Sequence, residues 1–232
     1  MTGGAMALTV VSERIGAVCH VQLDRPGKLN AASPQLQADL NAALAAAAAD
    51  DGVRAVVLSG RGRALSSGGD RDVLGQLVEG TAAADLRRQL SELTERRLRL
   101  MFLEVGVPIV VAVNGFAIGW GAELVAAGDV VVMADDAYLA EPHATFGLAP
   151  APACDLVWSR SVPPVVVKEM LTLGRPVTAD EALRWGMVNE VVEPARVVAV
   201  ALERAARLAE LPPAGVAAVK RAVNADVVAR LS

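Results

Sequence analysis

The chain has 232 residues, 53% of them hydrophobic and 21% charged, which supplies ample material for a buried core and is far from a disordered composition. A formal net charge of -4 and a pI near 5.3 argue against the basic face that nucleic-acid binding needs. No apolar run is long and unbroken enough for a membrane span, and no basic segment precedes an apolar one at the N-terminus, so a cytoplasmic protein that binds neither membrane nor nucleic acid is expected.

In chain order, "LTVVS" and "AVCHVQLD" read as strands, and "SPQLQADLNAALAAAAAD" as an Ala-rich helix with Ser33 as its N-cap. "VRAVVLSG" predicts a buried strand ending at Gly60, followed by the loop "RGRALSSGGD" and a helical region near 82–103. Within that region the Arg-rich "LRRQLSELTERRLRL" interleaves Glu92 and Glu95 and reads as a solvated helix face. Next come the strand "PIVVAVNG", a short helix over about 121–128 and the strand "DVVVMAD". Strands alternating with helices indicate an α/β architecture with largely parallel pairing.

After about residue 155 the pattern turns helical: "PPVVVKEMLTL", "TADEALRWG" and "ARVVAVALERAARLAELP", interrupted by the short strand "VNEVV". Thr178 with Glu181 forms a capping-box pattern. The expected division is an α/β core carrying the active site over 1–160 and a helical region over 161–232. Cys19 and Cys154 offer no disulfide framework, and His20 and His143 follow no zinc spacing, so no metal site is expected. His20, inside a strand, reads as structural.

Chemistry concentrates where two strands end. One corner is Ser66-Ser67-Gly68-Gly69-Asp70; the other is Gly119-Trp120-Gly121-Ala122-Glu123. Ligands of parallel sheets lie at the carboxyl ends of strands, and Gly-rich turns there can aim backbone N–H groups at a developing negative charge. A dinucleotide fingerprint is excluded because Leu124 occupies the third small position and the helix is too short for a full crossover.

Taken together, "LDRPGKLNAAS", "RAVVLSGRGRALSSGGD", "VPIVVAVNGFAIGWGAELVAAGDVVVMADDAYLAEP", "FGLAP" and "LTLGRPVTADEALRWGMVNEVV" resemble the crotonase superfamily of enoyl-CoA hydratases and isomerases. The resemblance implies a ββα spiral core with a helical C-terminal region, assembly as a homotrimer or dimer of trimers, and an acyl-CoA thioester substrate. Coenzyme A enters only as part of that substrate, with no separate cofactor. It places the oxyanion-hole donors on the backbone N–H groups of Gly69 and Trp120, where most relatives have Gly at the second position. It places the first catalytic carboxylate on Glu123, coenzyme A contacts on Lys28 and Arg63, and further substrate contacts on Ser67 and Asp70.

The pattern also departs from the family. The second hydratase carboxylate is expected twenty residues after Glu123, and the residue there is His143, in "EPH". Imidazole titrates near neutrality, so a Glu123/His143 pair can handle the protons of an enolate mechanism. The following loop, Pro150-Ala151-Pro152-Ala153-Cys154, lacks the glycines of the "PGAGG" that relatives often carry and gains Pro152, and Asp155 is expected to cap the helix "DLVWSRS". Many relatives carry a further helical segment past the position of Ser232, which leaves trimer geometry and coenzyme affinity open at this point. The function expected is an enoyl-CoA hydratase or isomerase. A β-diketone C–C hydrolase and a non-catalytic acyl-CoA-binding or assembly subunit are the alternatives.

Overall fold

The structure is a computed structural model that describes residues 9–231; the segment before Thr9, including Leu8 of the first expected strand, lies outside the described residues. Strands β1 (Val10–Ile15) and β2 (Val18–Leu23) form an antiparallel hairpin through Gly16. Helix α1 (Pro34–Ala49) follows, its first turn capped by Ser33, whose Oγ accepts the Leu36 N–H at 3.2 Å. The buried run Ala55–Gly60 is β3, and it is followed by β4 (Ala64–Ser66) in a second sheet. Helix α2 (Arg71–Val78) occupies a stretch with no predicted helix. It is eight residues long, carries Gly75 in its middle and buries no residue, which weakens its helical signal although Val73, Leu74, Leu77 and Val78 share one side.

Helix α3 (Ala84–Arg99) runs into a wide π-helical turn at Leu100–Glu104, and together they fill the predicted region. The same step then repeats. β5 (Ile109–Val113) joins the large sheet and β6 (Phe116–Ile118) the small one, followed by α4 (Trp120–Ala126). β7 (Val130–Ala134) and β8 (Tyr138–Ala140) repeat it again. The strand that leaves the large sheet each time enters the small one before a helix returns the chain, which is the expected ββα spiral.

Past residue 150 come a π-helical turn (Cys154–Trp158), α5 (Ser159–Ser161), α6 (Pro164–Leu173), β9 (Val177–Thr178), α7 (Ala179–Arg184), β10 (Glu190–Val192), α8 (Val197–Ala209) and α9 (Pro213–Leu231). Thr178 caps α7 through the expected reciprocal box with Glu181. The six-stranded sheet runs β1-β2-β3-β5-β7-β10, parallel except for the first pair; the four-stranded sheet runs β4-β6-β8-β9, parallel except for the last. β3 and β5 are buried along their whole length, as continuous apolar strands covered on both faces must be. Helix α1 lies against β1 and β2, and α8 against β3, β5 and β7. One core cluster holds Leu36, Val111, Leu124, Ala201 and Val227, so it runs across residue 160 without a break.

Candidate active site

The two corners follow adjacent parallel strands, β4 and β6, which pair through Ala64 with Phe116 and Ser66 with Ala117. They also touch directly. A Cβ on Gly121 would lie 2.8 Å from the Ser66 carbonyl oxygen, so the first turn of α4 rests on the end of β4 at a distance only glycine allows. Gly69 forms an isolated parallel bridge with Ala32: the Ala32 N–H donates to the Gly68 carbonyl at 2.8 Å, and the Asp70 N–H donates to the Ala32 carbonyl at 3.3 Å. In such a bridge the N–H of the middle residue points to the opposite side, which turns the Gly69 N–H away from Ala32. The Trp120 N–H opens α4 and has no carbonyl one turn behind it. Among the described residues neither N–H meets an acceptor.

Asn30 holds this corner and was not singled out by the sequence. It is fully buried, in left-handed conformation (φ 53°) beside Leu29 (φ 52°). Its Oδ1 accepts the Arg25 N–H at 2.9 Å, while Nδ2 donates to the carbonyls of Arg61 at 3.1 Å and Ala64 at 3.0 Å. Its own carbonyl accepts the Ser66 hydroxyl at 2.7 Å. The signal available was an Asn in a Pro-Gly turn, a residue type suited to left-handed backbone.

Glu123 sits on α4 with its side chain 3% exposed. One carboxylate oxygen pairs with the Arg97 guanidinium, and the other accepts the Ala153 N–H at a long 3.4 Å. This corrects the reading of the Arg-rich helix: Arg97 is not on a solvated face but fully buried, donating to Gln37 Oε1 at 3.1 Å. Its guanidinium also lies 5.2 Å from the centre of the Trp120 ring. Arg96 and Arg99 of the same helix are exposed and pair with Glu104 instead. Charge pattern alone does not separate Arg97 from them.

His143 follows β8 and Pro142 at the start of a 3₁₀ turn, with its side chain one quarter exposed. Its Nδ1 contacts the fully buried Glu141 carboxylate, whose same oxygen accepts the His143 backbone N–H at 3.2 Å. A Cβ on Gly119 would lie 3.2 Å from His143 Cε1, with Nδ1 at 3.8 Å and Nε2 at 3.9 Å, so the Cε1 corner of the imidazole faces the residue just before the Trp120 N–H. Gly119 is left-handed (φ 51°) and its N–H donates to the Ala140 carbonyl at 2.8 Å, tying α4 to the end of β8. Burial alone would lower the His143 pKa. The hydrogen bond and charge of Glu141, with the charge of Glu123, outweigh it and raise the pKa above the ordinary 6.5.

The other expected site residues lie around this centre. Lys28 and Arg63 are exposed, and among the described residues their side chains have no ion-pair partner. The Ser67 N–H donates to the Leu29 carbonyl at 2.9 Å. Asp70 is engaged in structure: it caps α2 and pairs with Arg25 at 3.2 Å. Asp155 caps no helix, because the segment begins earlier and passes through the π-helical turn with Ala153 as its first flanking residue. His20 bonds Ser59 Oγ at 2.8 Å within the sheet, in line with a structural role. No group of His, Cys, Asp and Glu suited to a metal ion occurs among the described residues.

Residues 13–232 match the sequence profile of the family described as "Enoyl-CoA hydratase/isomerase". Carnitinyl-CoA dehydratase of Salmonella arizonae is 36% identical over 210 residues, covering 89% of this chain and 77% of that protein. The protein of the same name from Escherichia coli K12 is 35% identical over the same coverage. Among solved structures, an enoyl-CoA hydratase/isomerase from Mycobacterium paratuberculosis superposes with a TM-score of 0.86 at 34% identity, covering 97% of this chain and 88% of that one. A monofunctional enoyl CoA isomerase from M. smegmatis superposes at 0.80 with 26% identity, covering 95% and 94%.

Proposed function

This chain belongs to the enoyl-CoA hydratase/isomerase family, the crotonase superfamily, and from that premise we propose that it moves protons on an enoyl-CoA thioester through an enolate, with His143 as the group that exchanges them. It is an enzyme of the lyase or isomerase kind, acting on acyl-CoA. The observation that carries the finer reading is the partly exposed imidazole with its Cε1 corner against Gly119, beside two backbone N–H groups without acceptors. The Gly69 and Trp120 N–H groups hold the thioester oxygen as it takes up charge; each such donor contributes about 2.7–4 kcal/mol to the transition state.

One imidazole suffices for the chemistry. In hydration, Nε2 takes a proton from water as the water oxygen bonds to Cβ, and the double-bond pair moves toward the thioester oxygen. The imidazolium then returns a proton to Cα. The sum is H and OH added across the double bond, with the imidazole unchanged; dehydration is the reverse. In double-bond migration the same nitrogen removes a proton from one carbon and returns it to another. Glu123, bound to Arg97, acts on this cycle through its charge, which favours the protonated imidazole. Lys28 and Arg63 supply cations for the coenzyme A phosphates, Ser67 lies in the same substrate corner, and a homotrimer is the assembly.

Mass spectrometry of the purified protein with a panel of enoyl-CoA esters in D2O tests this reading. A gain of water mass means hydration, and deuterium uptake without it means migration. Both are expected to vanish in His143→Ala. Silence across the panel from folded protein would overturn the reading and favour cleavage of a β-diketone without coenzyme A.

A further inference from the structure

We propose that Glu141 is the positioning residue of this site, holding a proton on His143 Nδ1 so that Nε2 is the nitrogen presented to the acyl group. The choice of Nε2 as the reacting atom rests on the enolate reading above, whereas the tautomer and its cause rest on geometry alone.

Glu141 is 1% exposed. An ionised carboxylate only accepts hydrogen bonds, so the ring nitrogen facing it must be the one that donates. The same oxygen also accepts the His143 backbone N–H at 3.2 Å, so ring and backbone are gripped together, and Pro142 between them restricts the chain further. The imidazole is thereby fixed with its Cε1 corner toward Gly119 and with Nδ1 engaged by Glu141, which leaves Nε2 as the nitrogen Glu141 does not hold.

Glu141 is costly where it stands. Its second oxygen, Oε2, is buried with no hydrogen-bond partner among the described residues, while the fully buried Cys154 thiol also interacts with this carboxylate. A buried acceptor left without a donor is destabilising. The carboxylate is explained by what it does to the imidazole.

The charged groups facing His143 are few. Glu141 adjoins it in the chain and Glu123 faces it from α4, with Arg97 of α3 behind Glu123. Helix α6, packed on the His143 turn, brings Lys168 and Glu169, both exposed. Burial opposes protonation, yet the hydrogen bond and charge of Glu141 raise the pKa of His143 above 6.5. The form able to give a proton therefore persists to higher pH than in free histidine. A stability contribution follows with the same sign: it is fully present below 6.5 and is lost as the pH rises through the raised value.

The test is ¹⁵N NMR of histidine-labelled protein, which holds only His20 and His143; a His20→Asn variant assigns the signals. The neutral His143 ring is expected as the Nδ1–H tautomer, titrating above 6.5. Glu141→Gln is expected to lower that pKa and mix the tautomers, and Glu141→Asp to retain part of both effects. Where substrate turns over, the low-pH limb of kcat/KM, which reports the neutral imidazole able to take a proton, is expected to move to lower pH in Glu141→Gln, with kcat falling more than tenfold and KM changing little. An Nε2–H tautomer in the wild-type protein, or a His143 titration unmoved by Glu141→Gln, would overturn the assignment. The wild-type titration decides the tautomer even if the variants do not fold. Absence of turnover with every coenzyme A ester would overturn the enolate reading and leave the NMR result to judge the dyad.

Discussion

Gly119 shows most directly how a backbone position sets the chemistry. Its left-handed φ and its closeness to the imidazole make any side chain doubly unwelcome. Gly119→Ala is expected to strain the backbone by about 1–2 kcal/mol and to displace His143. A shift near 1 Å at a reacting group can cost about 10²-fold, so kcat should fall by that order while the fold survives, as steady-state kinetics beside a thermal melt would show. Glu123 makes a different prediction. Glu123→Gln leaves Arg97 buried without its counter-charge, at a cost of about 3–5 kcal/mol, or a fall in Tm on the order of 10 °C. The double variant Arg97→Met with Glu123→Gln is expected to regain most of that stability while remaining impaired in turnover. A double variant no more stable than Glu123→Gln would show that the pair's charge is not what the melt reads.

At the scale of elements, the turn before α1 and the helix α9 carry the clearest expectations. Asn30→Ala removes both anchors of the turn to Arg61 and Ala64, leaving buried groups unpaired at about 1–3 kcal/mol each. Because Ala32 and Leu29 bond to the β4 corner, the variant is also expected to lose turnover through a misdirected Gly69 N–H. Normal kinetics in a destabilised Asn30→Ala would separate the turn from the oxyanion donor. Helix α9 is fastened by Lys220, 7% exposed, whose ammonium donates to Asp129 Oδ2 at 2.6 Å and to the Val107 carbonyl at 3.2 Å. Asp129 in turn accepts the Ile109 N–H at 2.8 Å, so the pair links the last helix to the start of β5. Lys220→Ala is expected to expose α9 to hydrogen exchange well before the sheet opens.

Across the whole molecule, a cavity of about 500 Å³ lies beneath α9, lined by residues such as Phe102, Val157, Leu211 and Val219. None of the residues of the two corners, nor His143, lines it. Val219 and Val223, one turn apart on α9, are 65% and 66% exposed. An apolar strip of this kind suits the proposed homotrimer. Sedimentation of the wild-type chain should give about three times the 24.0 kDa of one chain, and Val223→Glu should shift the population toward monomer. A wild-type monomer at micromolar concentration would remove the trimer from the account. No helix among the described residues is long and apolar enough to cross a membrane.

Much of this was readable from the chain because it is encoded locally. Alternating apolar runs specify the strands of the spiral, Ser33 and Thr178 specify helix starts, and the Gly-rich corners lie where strands end. Position along the motifs is what named Gly69, Trp120, Glu123 and His143 as candidates. Helix α2 escaped because its stripe of Val73, Leu74, Leu77 and Val78 spans only eight residues with Gly75 among them, and Asp155 was misread because a π-helical turn shifts the start of its segment. What only the tertiary structure decided is which charges meet. Arg97 looks like its exposed neighbours until α3 is laid against α4, and Glu141 looks like any acidic residue after a strand until the turn at Pro142 folds His143 back onto it. Local propensity acts over one turn or one strand. The partner of a buried charge is set by packing between elements far apart in the chain, and that information appears only when the core closes.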